Sequence, residues 1–284
     1  MKLPAQLKQV TMDEERAAFS PYPPLGFYSI SESELGNGDC FGLYWPIGRE
    51  SVEPIVAEVW HDEWRLVPSY SNLASFLKAR KSIAEEEGDY LETPSLHDDP
   101  RSPKACLDAA KLVLKSQLVD KAIALLETAI AIVPEYTEAH TALWAQYLRL
   151  GRIDDAARAA LQAIISPSSF GQRPVKALRW LCSLKEAPEF IVDDPIWLAR
   201  FDLKLVYGGT KENADYPILS AAIEKYLTQS KLLSALVLMQ TYAEQMHCET
   251  ISFQQRYDFD VKNFCARQLD VSAMLPDGPR ELVF

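Results

Sequence analysis

Short runs of alternating apolar and polar residues mark the first third of the chain. Four such runs alternate as β-strands do, and each ends at a glycine, a proline or a polar turn. They cover residues 26–30, 40–45, 55–60 and 64–67. A weakly periodic helix is predicted over residues 3–19, and Ser71 is placed to cap a helix that carries Leu73, Phe76 and Leu77 on one face. The pattern predicts an antiparallel sheet with helices at its two ends.

A repeat with helical periodicity organises the middle of the chain. Residues 104–167 match themselves at an offset of 34 residues, so that Ala122 falls on Ala156 and Ala129 on Ala163. Small residues recur where two antiparallel helices approach closely. One such hairpin cannot cover its own apolar face, so the repeat predicts stacked helical pairs that act as a scaffold.

Beyond residue 167 the offset fades, but amphipathic helical patterns continue to the end of the chain. They cover residues 174–186, 195–207, 216–229, 232–247 and 252–269. The stretch 83–102 is acidic and rich in proline, which predicts a linker with little part in a core. We therefore predict an α+β domain over 1–82, a linker over 83–102, two helical repeats over 103–167, and degenerate helical hairpins with a cap over 168–284.

Two family resemblances follow from these segments. The stretch 38–46, GDCFGLYWP, together with the later WHDEW turn and a closing SNLASFL helix, resembles the SUKH superfamily. The 34-residue repeat resembles tetratricopeptide repeats and implies an α-solenoid. The SUKH resemblance implies an α+β binding module, and many members of that superfamily are immunity proteins that neutralise bacterial toxins.

Composition favours a globular protein of the cytoplasm. The chain has 284 residues with 48% hydrophobic content, no apolar run long enough for a membrane span, and no apolar block near its start. Its five cysteines are widely spaced and include no C-x-x-C pair, so they predict buried free thiols and neither a disulfide framework nor a zinc site.

The charge of the chain is concentrated at one end. The net charge is −11, and the first 100 residues hold 8 Lys and Arg against 18 Asp and Glu. Phosphate binding needs a surplus of cations, so nucleic acid is excluded as the predicted partner. The acidic region favours a basic partner protein, with a solvated surface that merely keeps the chain soluble as the alternative.

No motif of known catalytic chemistry is present, so the sequence predicts no enzyme, no cofactor and no metal site. His61, Asp62 and Glu63 are adjacent, but neighbours in a hairpin point to opposite faces and do not converge on one ion. A role in the turn or in an interface is therefore predicted for them.

Partner contact is predicted at two sets of residues. Acidic and aromatic residues near the third and fourth strands form the first set, although core packing is the alternative for at least one tryptophan. The set comprises Glu50, Glu53, Glu58, Trp60, Asp62, Glu63 and Trp64. In the second set, the resemblance to tetratricopeptide repeats places Lys111, Lys115 and Arg149 in a groove, with a solvated basic face as the alternative.

Two functions fit these expectations. The first is an immunity protein that binds and occludes a cognate toxin, steered by its acidic surface. The second is a regulatory scaffold or co-chaperone whose helical groove binds a client peptide.

Overall fold

The structure is a computed structural model that describes residues 1–12, 21–31, 38–85, 91, 93–208 and 212–281. A small antiparallel sheet is followed by a long series of helices, so the predicted layout of an α+β part and then an all-α part is confirmed. Of the helix predicted over 3–19, the described residues hold only a 3-10 turn, Leu7–Gln9. The prediction was therefore wrong for residues 3–12, and its residues 13–19 lie outside the described residues.

The sheet has four strands in the order β1-β2-β3-β4, each antiparallel to its neighbour. The strands are β1 (Phe27–Ser29), β2 (Cys40–Tyr44), β3 (Ile55–Trp60) and β4 (Arg65–Tyr70). Each connection joins neighbours in sequence, which is the topology that short turns favour. All four predicted strands are therefore present, with β4 extended to Tyr70.

Helix α1 (Leu73–Glu85) follows the sheet and supplies the other half of its core. Phe41 of β2 and Phe76 of α1 have ring centroids 5.2 Å apart, and Tyr70 lies 5.5 Å from Phe76. Trp45 is fully buried in the same cluster. Alternate strand residues and one helix face thus exclude water together, as the apolar pattern requires.

The stretch predicted as a linker takes part in the packing of the sheet. Asp99 is buried and accepts hydrogen bonds from Ser71, at 2.7 Å from both its backbone nitrogen and its hydroxyl. Ser102 caps the next helix and also donates to the backbone oxygen of Ser69. These polar contacts, which apolar periodicity does not reveal, tie the end of the predicted linker to the end of β4.

Two antiparallel helical pairs follow, α2 with α3 and α4 with α5. Their bounds are Pro103–Lys115, Val119–Ile132, Thr137–Arg149 and Ile153–Ile165. Each helix of the second pair begins 34 residues after its counterpart in the first. The repeated alanines, Ala122, Ala129, Ala156 and Ala163, are fully buried, in accordance with the small side chains that close helix packing requires.

Six further helices follow among the described residues, and two predictions about them fail. They are α6 (Val175–Ser183), α7 (Pro195–Ala199), α8 (Asp215–Thr228), α9 (Leu232–His247), α10 (Ile251–Arg256) and α11 (Val261–Ala273). The helix predicted over 195–207 stops early, because the Asp215 carboxylate accepts the backbone N–H groups of Lys204 and Val206. The helix predicted over 252–269 is two helices, because Asp258 has a φ of +51° and Asp260 caps α11.

The chain forms two compact units. The sheet unit contains residues 1–19, 25–134 and 280–284, and the helical unit contains residues 20–24 and 135–279. Helices α2 and α3 therefore belong to the same unit as the sheet. The two units are defined by contacts within the structure. The division of the sequence into four segments, with bounds at 82, 102 and 167, is a separate matter and stays a prediction.

Among the residues that the structure describes, every helix is too short or too polar to cross a membrane.

Candidate functional site

The connection between β3 and β4 is a tight turn that presents aromatic and acidic side chains. Trp60 pairs with Arg65 at the end of the ladder, and residues 61–64 form the turn. Trp64, which the sequence placed at the start of a strand, lies in this turn with a φ of +52°. Its side chain is 45% exposed. The turn therefore carries a large apolar side chain out into solvent.

Asp39 holds the turn from the neighbouring strand connection. Its Oδ1 accepts a hydrogen bond from the His61 backbone nitrogen at 2.8 Å and lies 2.9 Å from His61 Nδ1. Gly38 precedes it with a φ of +97°, and a Cβ there would lie 2.9 Å from the same ring nitrogen. Sequence reasoning missed both roles, although the Gly38-Asp39 pair before β2 is a turn signal. Asp39 thus ties the connection before β2 to the β3–β4 turn, which carries the exposed Trp64.

The outer face of the turn is acidic. His61 Nε2 lies 3.0 Å from the Asp62 carboxylate, so the ring stands between two carboxylates. The Asp62 side chain is 88% exposed, and Glu63 is exposed beside it. A search of the described residues finds no group of three or more His, Cys, Asp and Glu side chains placed to hold a metal ion. We name Asp62, Glu63 and Trp64 the turn surface.

Glu58 and Trp60 lie behind the turn surface. Glu58 is half-buried, and the Trp60 side chain donates a hydrogen bond to it. Burial raises the pKa of the Glu58 carboxyl, and the nearby Asp39 acts in the same direction. These two residues contact each other and face solvent only in part, so they support the turn more than they extend its surface.

Glu50 and Glu53 were also predicted to contact a partner, but neither belongs to the turn surface. Glu50 is buried and paired with Arg280, so it is not available to a partner. Glu53 lies 3.6 Å from the Lys2 ammonium on the surface. The burial of Glu50 was invisible to sequence patterns because its cation comes 230 residues later.

The predicted basic groove residues are all exposed, but neither compact unit brings them together. Lys111 and Lys115 lie on α2 in the sheet unit, whereas Arg149 lies on α4 in the helical unit. Lys104, on the same helix as the first two, pairs with Asp108. The structure thus supplies no clamp of three cations within one unit.

Comparison with known proteins corrects both family resemblances. Residues 12–90 match the family described as the YfbP N-terminal domain, and residues 206–280 match the YfbP C-terminal domain. No SUKH or tetratricopeptide family matches the chain, so those two assignments were wrong. A strand and turn motif of nine residues and a 34-residue helical spacing are features that unrelated chains share.

The similarity extends over nearly the whole chain. The chain is 37% identical over 273 residues to the uncharacterized protein YfbP of Escherichia coli (strain K12), with 94% of each chain covered. The first matched domain contains the turn surface, and the second contains α8 to α11. This chain therefore belongs to the YfbP family.

Proposed function

We propose that the protein is a non-enzymatic binding protein that docks on a basic partner protein through the turn surface. The observation that carries the proposal is Trp64, which is 45% exposed on a hydrogen-bonded turn and directly follows the two acidic residues of the same surface. Tryptophan is enriched at binding hot spots because it brings a large rigid apolar area to an interface. A single anchored aromatic with charged neighbours suits a protein partner.

The acidic side chains give the proposed interaction its charge preference. Asp62 and Glu63 are exposed, so their carboxylates can attract a basic surface during encounter. Because Asp39 fixes the turn, little conformational freedom is lost when a partner binds. Added salt should therefore lower the association rate of the partner. The apolar contact that Trp64 makes with the partner should set the dissociation rate.

Neutralisation of a cognate toxin is one form of this proposal, since an acidic turn suits occlusion of a basic active site. Because no SUKH family matches the chain, this form is supported by the turn surface alone. A regulatory scaffold or co-chaperone that binds a client peptide through the exposed cations Lys111 and Lys115 of α2 is the alternative. We place the protein in the cytoplasm, where its five free cysteines stay reduced.

The proposal predicts that partner capture depends on the turn surface. Proteins captured from a lysate of the source cells by the wild-type chain should be lost with Trp64→Ala, because truncation removes the apolar anchor. Asp62→Lys should reduce the association rate of the purified partner about tenfold at low salt, measured by surface plasmon resonance.

Matched variants control for changes at exposed sites in general. Leu112→Ala removes another exposed apolar side chain of the sheet unit, and Asp120→Lys reverses another exposed charge. Both should bind like the wild type. If the partner is retained by Trp64→Ala and Asp62→Lys alike, or is lost equally with the controls, the turn surface is not the docking site.

A further inference from the structure

A half-open cleft of about 150 Å³ lies within the helical unit. It is enclosed by α5, by the 3-10 turn Glu189–Ile191 and by the connection from α8 to α9. Leu161, Ile165 and Ile191 supply apolar walls and are all buried. A cavity of this volume with aliphatic walls holds a group of about the size of benzene. The cleft is therefore large enough for one small apolar group.

Two cations border the same cleft. Arg158 lies with its guanidinium carbon 3.9 Å from the ring centroid of Phe190, which holds it at the cleft wall. Lys231 stands on the other side, with its ammonium 6.0 Å from the Tyr226 ring. Neither cation forms a hydrogen bond or an ion pair with any residue within the described ranges. The Lys231 charge also acts on the Asp194 carboxylate of the same lining. Both cations nevertheless keep their hydrogen-bond donors open to a ligand.

Two neutral polar side chains, Gln162 and Ser234, also line the cleft. Like the cations, they make no side-chain hydrogen bond to other residues in the part of the chain that the structure describes. Together they add a hydroxyl and an amide to the two cations. The cleft thus combines an apolar wall with an unusually large share of polar groups, which can orient a bound molecule.

Asp194 is the one acidic residue in the lining, and its carboxylate is already engaged. Its Oδ1 accepts the backbone N–H groups of Ile196 and Trp197 at 2.9 and 3.2 Å. The Tyr226 hydroxyl donates to the same carboxylate, at 3.0 Å from Oδ2. These donors partly neutralise its charge toward the cleft. The electrostatic preference of the cleft is therefore set by Arg158 and Lys231.

We propose that this cleft binds a small apolar carboxylate as a free acid. Its hydrocarbon part lies against Leu161, Ile165 and Ile191, and its carboxylate faces Arg158 and Lys231. These five residues line one and the same cleft. Its volume of about 150 Å³ suits a small acid better than a long hydrocarbon chain. The site belongs to the helical unit and goes beyond the proposed docking of a partner on the sheet unit.

Isothermal titration calorimetry of the full chain with benzoate and with 3-methylbutanoate tests the proposal. Both acids should bind at one site. Benzamide lacks the charge and acetate lacks the apolar group, so each should bind about tenfold more weakly or worse. Equal binding of benzamide and benzoate would overturn the role of the cations, and absence of saturable binding for both acids would overturn the site.

Variants connect the binding to the cleft. Arg158→Gln with Lys231→Gln should lower benzoate affinity by about tenfold or more, and Ser234→Phe should abolish binding by filling the cleft. Lys262→Ala removes an exposed cation of the same unit outside the cleft and should change affinity less than about twofold. Circular dichroism confirms that each variant is folded. Unchanged affinity in both cleft variants would overturn the assignment.

A further arm separates a free acid from the end of a peptide. A hexapeptide of glycine and serine that ends in leucine with a free carboxylate should bind no more tightly than 3-methylbutanoate. Binding about tenfold tighter would make a peptide terminus the occupant and overturn the free acid. The turn surface is unaltered in all these experiments, so their failure leaves the proposed function untouched.

Discussion

A buried carboxyl group on α9 lies at the centre of the helical unit. Glu244 accepts hydrogen bonds from the Ser169 hydroxyl at 2.8 Å, the Ser169 backbone nitrogen at 3.2 Å and the Gln240 amide at 3.2 Å. Burial, which outweighs these bonds, raises its pKa to about 7. No cation is bonded to this carboxylate in the described part of the chain. Its protonation state therefore couples to the stability of the folded chain.

The sign of that coupling follows from the two pKa values. An unfolded Glu carboxyl has a pKa near 4.5, so between pH 4.5 and 7 the folded state holds a proton that the unfolded state has lost. Stability from Glu244 is fully present below pH 4.5 and is lost as the pH rises through 7. A shift of this size corresponds to about 3 kcal/mol over the interval.

We predict that Glu244→Gln removes this pH dependence, because a neutral amide has no proton to lose. The free energy of unfolding, measured in urea at pH 5 and at pH 7.5, should fall by about 2 kcal/mol less in the variant than in the wild type, because this window covers most of the titration but not all of it. Glu212→Gln alters an exposed carboxyl and serves as the control. Identical pH profiles for wild type and Glu244→Gln would show that Glu244 does not titrate in this range.

At the scale of an element, the β3–β4 turn depends on the connection before β2. Gly38 combines a left-handed backbone conformation with a close approach to His61, and Asp39 bonds that histidine twice. A side chain at Gly38 therefore meets both a backbone penalty and a clash. The neighbouring loop, and not the turn sequence alone, fixes where Trp64 points.

We predict that Gly38→Ala destabilises the chain by about 2 kcal/mol and loosens the hydrogen bonds that hold the turn. Hydrogen exchange at residues 61–64 should accelerate in parallel. Gly151→Ala is the matched control, because Gly151 has a φ of +69° and a Cβ there would meet nothing within 4 Å. Its cost should be about 1 kcal/mol, from the backbone conformation alone. Equal costs at the two glycines would contradict the contact with His61.

At the scale of the whole molecule, the chain leaves the sheet unit, builds the helical unit and returns at residue 280. Arg280 is fully buried in the sheet unit, where it donates to the Glu50 carboxylate and, at 2.7 Å each, to the backbone oxygens of Leu25 and Trp45. Gly26, with a φ of +96°, leaves room for the guanidinium. A residue near the end of the sequence thus completes a core formed near its beginning.

We predict that Arg280→Ala destabilises the sheet unit by about 3 to 5 kcal/mol, because it leaves the Glu50 carboxylate buried without its cation. Arg267→Ala breaks an exposed pair with Glu224 and should cost less than about 1 kcal/mol. Urea denaturation measures both changes, and hydrogen exchange should locate the loss in residues 25–134. If the Arg280→Ala variant proves as stable as the Arg267→Ala variant, the buried pair of Arg280 and Glu50 is refuted.

Part of the architecture was determined by the sequence alone, because it depends on neighbours along the chain. The alternation of β3 and the 3.6-residue period of α9 predicted both elements, and for α9 the bounds agree at both ends. Repetition of small residues at an offset of 34 predicted the paired helices α2 to α5. Local backbone preferences and the spacing of apolar residues are sufficient to specify elements of this kind.

Only the tertiary structure decided which polar residues are available. Glu50 and Glu63 look alike in the sequence, yet Glu50 is buried against Arg280 while Glu63 stands in solvent. Asp215 ended a predicted helix by accepting backbone groups that precede it by about ten residues. The cleft beside Arg158 and Lys231 exists because separate helices meet there. Such contacts join residues far apart in the chain, and periodicity reports only on the spacing between neighbours.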